Sequence, residues 1–152
     1  MPGDINIVEW QAIGYLGQGD LKGAREVIRA AIDRGNPAPA VAAFFGGYQE
    51  VSWALEEPER QLLFRLTPAA FDNDRAWWGQ TMAIAHWQQG NAAAARAYAD
   101  SALPATAVQV AASPRDGQTH GLHALMLAYT GKKAEAIAEA TQAVELAVPG
   151  GA

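Results

Sequence analysis

The sequence predicts an all-α protein, an array of about four antiparallel helix pairs in a single domain over residues 1–152. Three observations predict it. First, one phrase occurs three times, over residues 12–24, 83–95 and 124–136. Each copy sets a small residue (Ala12, Ala83, Ala124), a large one three positions on, a Gly four further (Gly19, Gly90, Gly131) and an Ala five beyond that (Ala24, Ala95, Ala136). This spacing describes a helix, a tight turn and a second helix packed on the first. Second, the turn glycines lie 71 and 41 residues apart, near two periods and one period of a helical repeat of about 34 residues. Third, half of the chain is hydrophobic and Ala dominates that half. Ala is the best helix former, and no strand signal of convincing length is present.

The first unit, residues 5–36, reads as helices over 5–17 and 21–34, closed by Asn36-Pro37-Ala38-Pro39. A second unit must hide between Gly19 and Gly90, and residues 50–62 carry a damaged copy of the phrase. There Trp53 stands where Tyr15 stands, Glu57 replaces the turn Gly and Leu62 replaces the small residue. Unit two, 39–72, is thus read as helices over 39–55 and 58–66, with Pro58 suited to a first helical turn. Bulky Leu62, Leu63 and Phe64 lead to the expectation that this hairpin splays further than its neighbours. Unit three, 75–112, reads as helices over 75–88 and 92–110, and Pro104 is expected to kink or break the second. Ser113-Pro114-Arg115-Asp116-Gly117 separates it from unit four, 117–148, with helices over 117–130 and 133–147. Ala24, Ala95 and Ala136 are expected to be buried where paired helices touch.

Composition narrows the function classes. A net charge of −5 argues against nonspecific nucleic-acid binding, which needs Lys and Arg on phosphates. No block of basic residues suits a membrane surface. No apolar run approaches the ~20 residues of a membrane span. Cysteine is absent, so neither a disulfide nor a thiolate metal site is possible. Met1-Pro2-Gly3-Asp4 lacks the basic-then-apolar pattern of a signal peptide. The reading is of a cytoplasmic chain.

The phrases resemble tetratricopeptide repeats. The matching residues are Ala12, Tyr15, Gly19, Asp20, Ala24 and Ala31 in unit one, Ala83, Gly90, Asn91, Ala95 and Ala102 in unit three, and Ala124, Gly131, Ala136 and Ala143 in unit four. The resemblance covers nearly the whole chain. It implies a right-handed superhelical array of helix pairs with a concave groove. The repeat's closing Pro is displaced by one in units one and four (Pro37, Pro149) and missing in unit three, and unit two keeps the shape without the signature. Residues 66–72 through 96–102 also look like the repeat region trailing some bacterial membrane-anchored serine/threonine kinases and related signalling proteins. That likeness implies a sensory or scaffolding piece, since no kinase motif is present. Some tetratricopeptide domains clamp the acidic tail of heat-shock chaperones with Lys, Asn and Arg. The corresponding places here read Glu9, Ile13, Thr81, Gln118 and Leu122, so the clamp is missing.

Candidate chemistry is thin. His120 and His123 lie three apart on one helix and could begin a metal site, but His86 is one unit away and no further ligand sits at a helpful spacing. The competing reading packs His123 against a neighbouring helix and places His120 at a helix opening. Glu56, Glu57 and Glu59 flank Pro58 at a helix start, where carboxylates favour the dipole. Ser52, Ser101 and Ser113 have no hydrolase elbow, and Gly46-Gly47 and Gly14, Gly17 and Gly19 follow no strand as a phosphate loop would. No catalytic residue, metal or cofactor is expected.

The aromatics lead further. In such repeats the first helix of each unit faces the groove. Projection places Trp10, Ile13 and Leu16 there in unit one, Phe44, Tyr48 and Val51 in unit two, Trp77, Gln80, Thr81, Ile84 and Trp87 in unit three, and Leu122, Leu125 and Tyr129 in unit four. An apolar groove with aromatic anchors suits a peptide or an amphipathic helix. The alternative is that much of this stripe is core. The last helix carries Ala136, Ile137, Ala140, Val144 and Leu146, too many apolar groups for one packed side. That face is expected to be covered by a second copy, or by a natural cap lost through truncation. The expected function is a protein-interaction module of scaffolding or regulatory type with an unidentified protein or peptide partner. A structural domain that self-associates, as in a homodimer, is the rival.

Overall fold

The computed structural model describes residues 4–147. Among the described residues there is no strand. The helices are α1 (Ile5–Gly17), α2 (Leu21–Asp33), α3 (Ala38–Gly47), α4 (Gln49–Ser52), α5 (Glu57–Leu63), α6 (Arg75–Gln88), α7 (Ala92–Ala112), α8 (Gly117–Tyr129) and α9 (Lys133–Ala147), with a 3-10 turn at Pro68–Phe71. None is long and apolar enough to cross a membrane. The chain divides into two compact units, one ending at Asn73 and one beginning at Asp74. The division falls at the boundary between sequence units two and three.

The thrice-repeated phrase makes the same turn each time. Gly19, Gly90 and Gly131 adopt φ of 75°, 73° and 82°, a left-handed conformation that Gly reaches without a Cβ penalty. The residue after each Gly donates its N–H back five positions: Asp20 to Tyr15 O, Asn91 to His86 O and Lys132 to Leu127 O, at 2.9–3.0 Å. The Gly N–H itself donates back three, to Leu16 O, Trp87 O and Ala128 O. This is the Schellman arrangement, which satisfies carbonyls a helix end leaves open. In the first two copies the next residue also opens the following helix. Gly23 N donates to Asp20 Oδ1 at 2.8 Å and Ala94 N donates to Asn91 Oδ1 at 3.1 Å. One short polar residue therefore ends one helix and caps the next.

Small residues hold the pairs together. Ala24, Ala95 and Ala136 are all buried, as the phrase predicts. The α6–α7 crossing is tightest at Gly79, where an added Cβ would lie 2.7 Å from the Ala102 Cβ. In the second unit Ala83, Ala99, Ala102 and Met126 form one buried cluster joining α6, α7 and α8.

Two expectations need correction. The helix read over 39–55 is broken at Tyr48, whose φ and ψ of −105° and 116° are extended. Consecutive Gly46 and Gly47 weaken the helix there, and Gly46 sits so close to α5 that a Cβ would meet Leu63 Cδ2 at 2.7 Å. Pro104, expected to kink or break its helix, lies inside an uninterrupted α7 of 21 residues. Pro104 is exposed, as is Asp100, whose carbonyl has no N–H partner at Pro104.

Where unit two lacks its turn Gly, arginine side chains bond to carbonyls of the connection. Arg25 Nε donates to Ala54 O at 3.2 Å, and Arg60 Nη1 donates to Leu55 O. Arg29 pairs with Glu56 at the same connection.

Candidate functional site

The second unit carries the fuller set of groove residues. Asp74 caps α6, its Oδ1 accepting from Ala76 N at 2.8 Å and Trp77 N at 3.0 Å. Asp116 caps α8, accepting from Gln118 N at 3.0 Å and from the Thr119 hydroxyl at 2.7 Å. The Thr119 hydroxyl and the Gln118 amide hold the Asp116 carboxyl below its ordinary range, so it stays charged while it caps. With both helix starts fixed, Trp77 and Leu122 line a groove of about 400 Å³ together with Gln80, Gln109, Asp116 and Gln118. At the other end of the same helices, Trp87 and Tyr129 meet with ring centroids 5.1 Å apart and planes at 35°. Trp87 is nonetheless 53% exposed. Burial raises the Tyr129 phenol above its ordinary value, so it remains a neutral hydroxyl. Leu125 lies half-buried between these ends.

The predicted stripe thus separates into surface and interior. Trp77, Leu122, Leu125 and Tyr129 are half-buried and Trp87 is exposed, while Gln80, Thr81 and Ile84 are buried. The interior reading holds for those three. In the first unit Trp10 is 70% exposed, Ile13 is half-buried and Tyr48 is exposed beside Phe44, ring centroids 5.0 Å apart. Of the other residues projected onto the groove, Leu16 is half-buried and Val51 is buried.

The histidines are tied to their own fold. His120 is buried; its Nδ1 lies 2.6 Å from Glu139 Oε1 and its Nε2 lies 3.1 Å from Pro114 O. Those contacts clasp α8 to α9 and to the loop before it. His123 Nδ1 lies 2.7 Å from Thr106 Oγ1, which donates on to Leu103 O at 3.1 Å. Burial lowers His123 and His86 below the ordinary imidazole value. His86 stacks on Tyr98 with ring centroids 5.3 Å apart. His123 thus packs against the neighbouring helix α7. No group of three potential metal ligands occurs among the described residues.

A second hollow takes in Ala136, Ile137 and Ala140, which the sequence marks as an apolar face, together with small residues of α8 that it does not mark. The α8–α9 hairpin holds an apolar groove of about 630 Å³, lined by Gly121, Ala124, Leu125 and Ala128 of α8 and by Lys133, Ala136, Ile137 and Ala140 of α9. Its signal was a run of small residues on α8 at helical spacing, which reads equally as packing surface. Compared with protein-family models, with curated proteins and with solved structures, the chain matches none.

Proposed function

We propose that the chain is a protein-interaction module of tetratricopeptide type that takes a peptide or helix on the aromatic strip of its second unit. In this reading the hairpins belong to a right-handed array, and the strip runs from Trp77 and Leu122 through Leu125 to Trp87 and Tyr129. The observation that carries it is the Trp87–Tyr129 pair, in contact at 5.1 Å with Trp87 still half-exposed. Large aromatics fixed by a neighbour lose little entropy on binding and are enriched among residues that dominate interfaces. The polar groove beside Trp77 and Leu122, with Gln109 and Gln118, supplies amides that can pair with a peptide backbone. The reading assigns no catalytic step, and its role is scaffolding or regulatory.

The test is selection of peptides from a displayed random library on the purified chain, followed by NMR titration of one winner. Expected are saturable shifts confined to α6 and α8, with the Trp87 indole among the largest. Selection of nothing above background, or shifts centred elsewhere, would remove the proposal.

A further inference from the structure

The second unit shows what covers a hairpin face of this kind. Helix α8 lies over α6–α7, its Met126 entering the Ala83, Ala99 and Ala102 cluster. Aligning Gly90 with Gly131 maps α6–α7 onto α8–α9, so that Gln80, Ala83 and Ala99 correspond to Gly121, Ala124 and Ala140. Those last three floor the open 630 Å³ groove, so the face that α8 fills on one hairpin stands empty on the next. Aligning Gly131 with Gly19 maps α8 onto α1, so that Leu122, Met126 and Tyr129 correspond to Trp10, Gly14 and Gly17. That face of α1 is bare: Trp10 is 70% exposed, and a Cβ added at Gly14 or Gly17 would meet nothing within 4 Å.

We infer that two copies join head to tail, α1 of one copy lying in the α8–α9 groove of another. The sizes complement each other. In the covered hairpin Leu122 and Gln80 face one groove; in the proposed contact the larger Trp10 stands over the smaller Gly121. Ile137, 57% exposed at the groove edge, meets the side of α1 where Gly14 and Gly17 leave room. The charges complement each other too. Lys133 is the charged residue lining the groove, and residues 4–20 carry Asp4, Glu9 and Asp20 with no Lys or Arg. Helices α6 and α8 run parallel, with Trp77 beside Leu122 at their starts and Trp87 beside Tyr129 at their ends. The same orientation brings the Asp20 turn of one copy to the Lys133 turn of the other. Such a contact is heterologous, so each copy keeps one free face and the assembly can extend.

Sedimentation velocity of the 152-residue chain tests this, over concentrations from about 10 μM to 1 mM, the range in which a contact of modest affinity fills. The average mass is expected to rise with concentration. Trp10→Lys blocks one face and Ile137→Lys the other, and each alone is expected to stay monomeric. An equimolar mixture is expected to give a two-chain species and nothing larger, because one intact groove and one intact α1 remain. Gly121→Leu, whose added Cβ would lie in ordinary contact with the Ala143 Cβ at 3.9 Å, substitutes for Ile137→Lys should that variant lose its helical circular dichroism. Wild type that stays monomeric throughout, a single variant that associates like wild type, or a mixture that stays monomeric each overturns the inference.

Discussion

Residues 74–147 fold as two hairpins of one pattern, whereas residues 4–73 contain one hairpin of that pattern and one that departs from it. The regular hairpins α1–α2, α6–α7 and α8–α9 each turn on a left-handed Gly whose next residue reaches back five positions. The departing hairpin has Glu57 in that place, and its connection is held by Arg25, Arg60 and the Arg29–Glu56 pair. The difference teaches what the phrase is for. Its Gly lets the backbone satisfy its own carbonyls within the turn. Without that Gly, the Ala54 and Leu55 carbonyls at the connection accept from the arginines of α2 and α5. The second unit adds side-chain clasps of its own, His120 to Glu139 and His123 to Thr106.

The comparison breaks first at the clasp. His120→Ala strands the Glu139 carboxylate and the Pro114 carbonyl, and should destabilise the second unit by about 2–3 kcal/mol. Hydrogen exchange should show the loss in α8 and α9 while α1 and α2 keep their protection. Equal loosening of both units would contradict their separate packing. Next comes the small-residue contact. Ala95→Leu overpacks a fully buried site and should cost about 1–3 kcal/mol; an unchanged thermal melt would show that the helix register is misread.

A smaller effect sharpens the comparison. Gly19→Ala, Gly90→Ala and Gly131→Ala should each cost about 1–2 kcal/mol for a left-handed residue with a Cβ. Glu57→Ala should lie within about 0.5 kcal/mol of wild type, as surface changes usually do. Four equal urea midpoints would end the claim that position 57 is a different kind of turn.

The smallest effect is one of pH. All three histidines lie in the second unit, and His86 and His123 are held below the ordinary 6.5 by burial. The unfolded chain then binds protons that the folded one resists. Stability from this source is full above pH 6.5 and is lost as pH falls from there toward the folded values. His86→Gln with His123→Gln should make the acid decline of the second unit shallower. An unchanged slope would show that these two rings carry none of it.

Most of the fold is legible in the sequence because the phrase states its own geometry. The bounds read for α1, α6 and α9 match the structure to the residue. Tyr48 was not legible as a break: Gly46 and Gly47 weaken a helix without ending it, and the close approach of Gly46 to Leu63 is visible only in the fold. Pro104 was over-read as a break, since it lies exposed inside an uninterrupted α7. The candidate site was legible in outline. Helical spacing puts Gln80, Thr81 and Ile84 on the same stripe as Trp77 and Trp87, but periodicity does not say which of them a neighbouring helix covers. Gly121, Ala124 and Ala128 were missed for a related reason, since small residues look alike whether they pack a helix or floor an open groove.

The central claim is that the Trp87–Tyr129 surface takes the partner. Two tryptophans of similar exposure test it: Trp87 at 53% in the second unit and Trp53 at 47% in the first, whose Nε1 donates to its own Glu50 O at 2.9 Å. The measurement is the binding isotherm of a selected peptide to wild type, Trp87→Ala and Trp53→Ala. The expected result is a loss of about 2 kcal/mol, roughly 30-fold in Kd, for Trp87→Ala, and a Kd within error of wild type for Trp53→Ala. Equal losses at both positions, or a loss confined to Trp53→Ala, would contradict it.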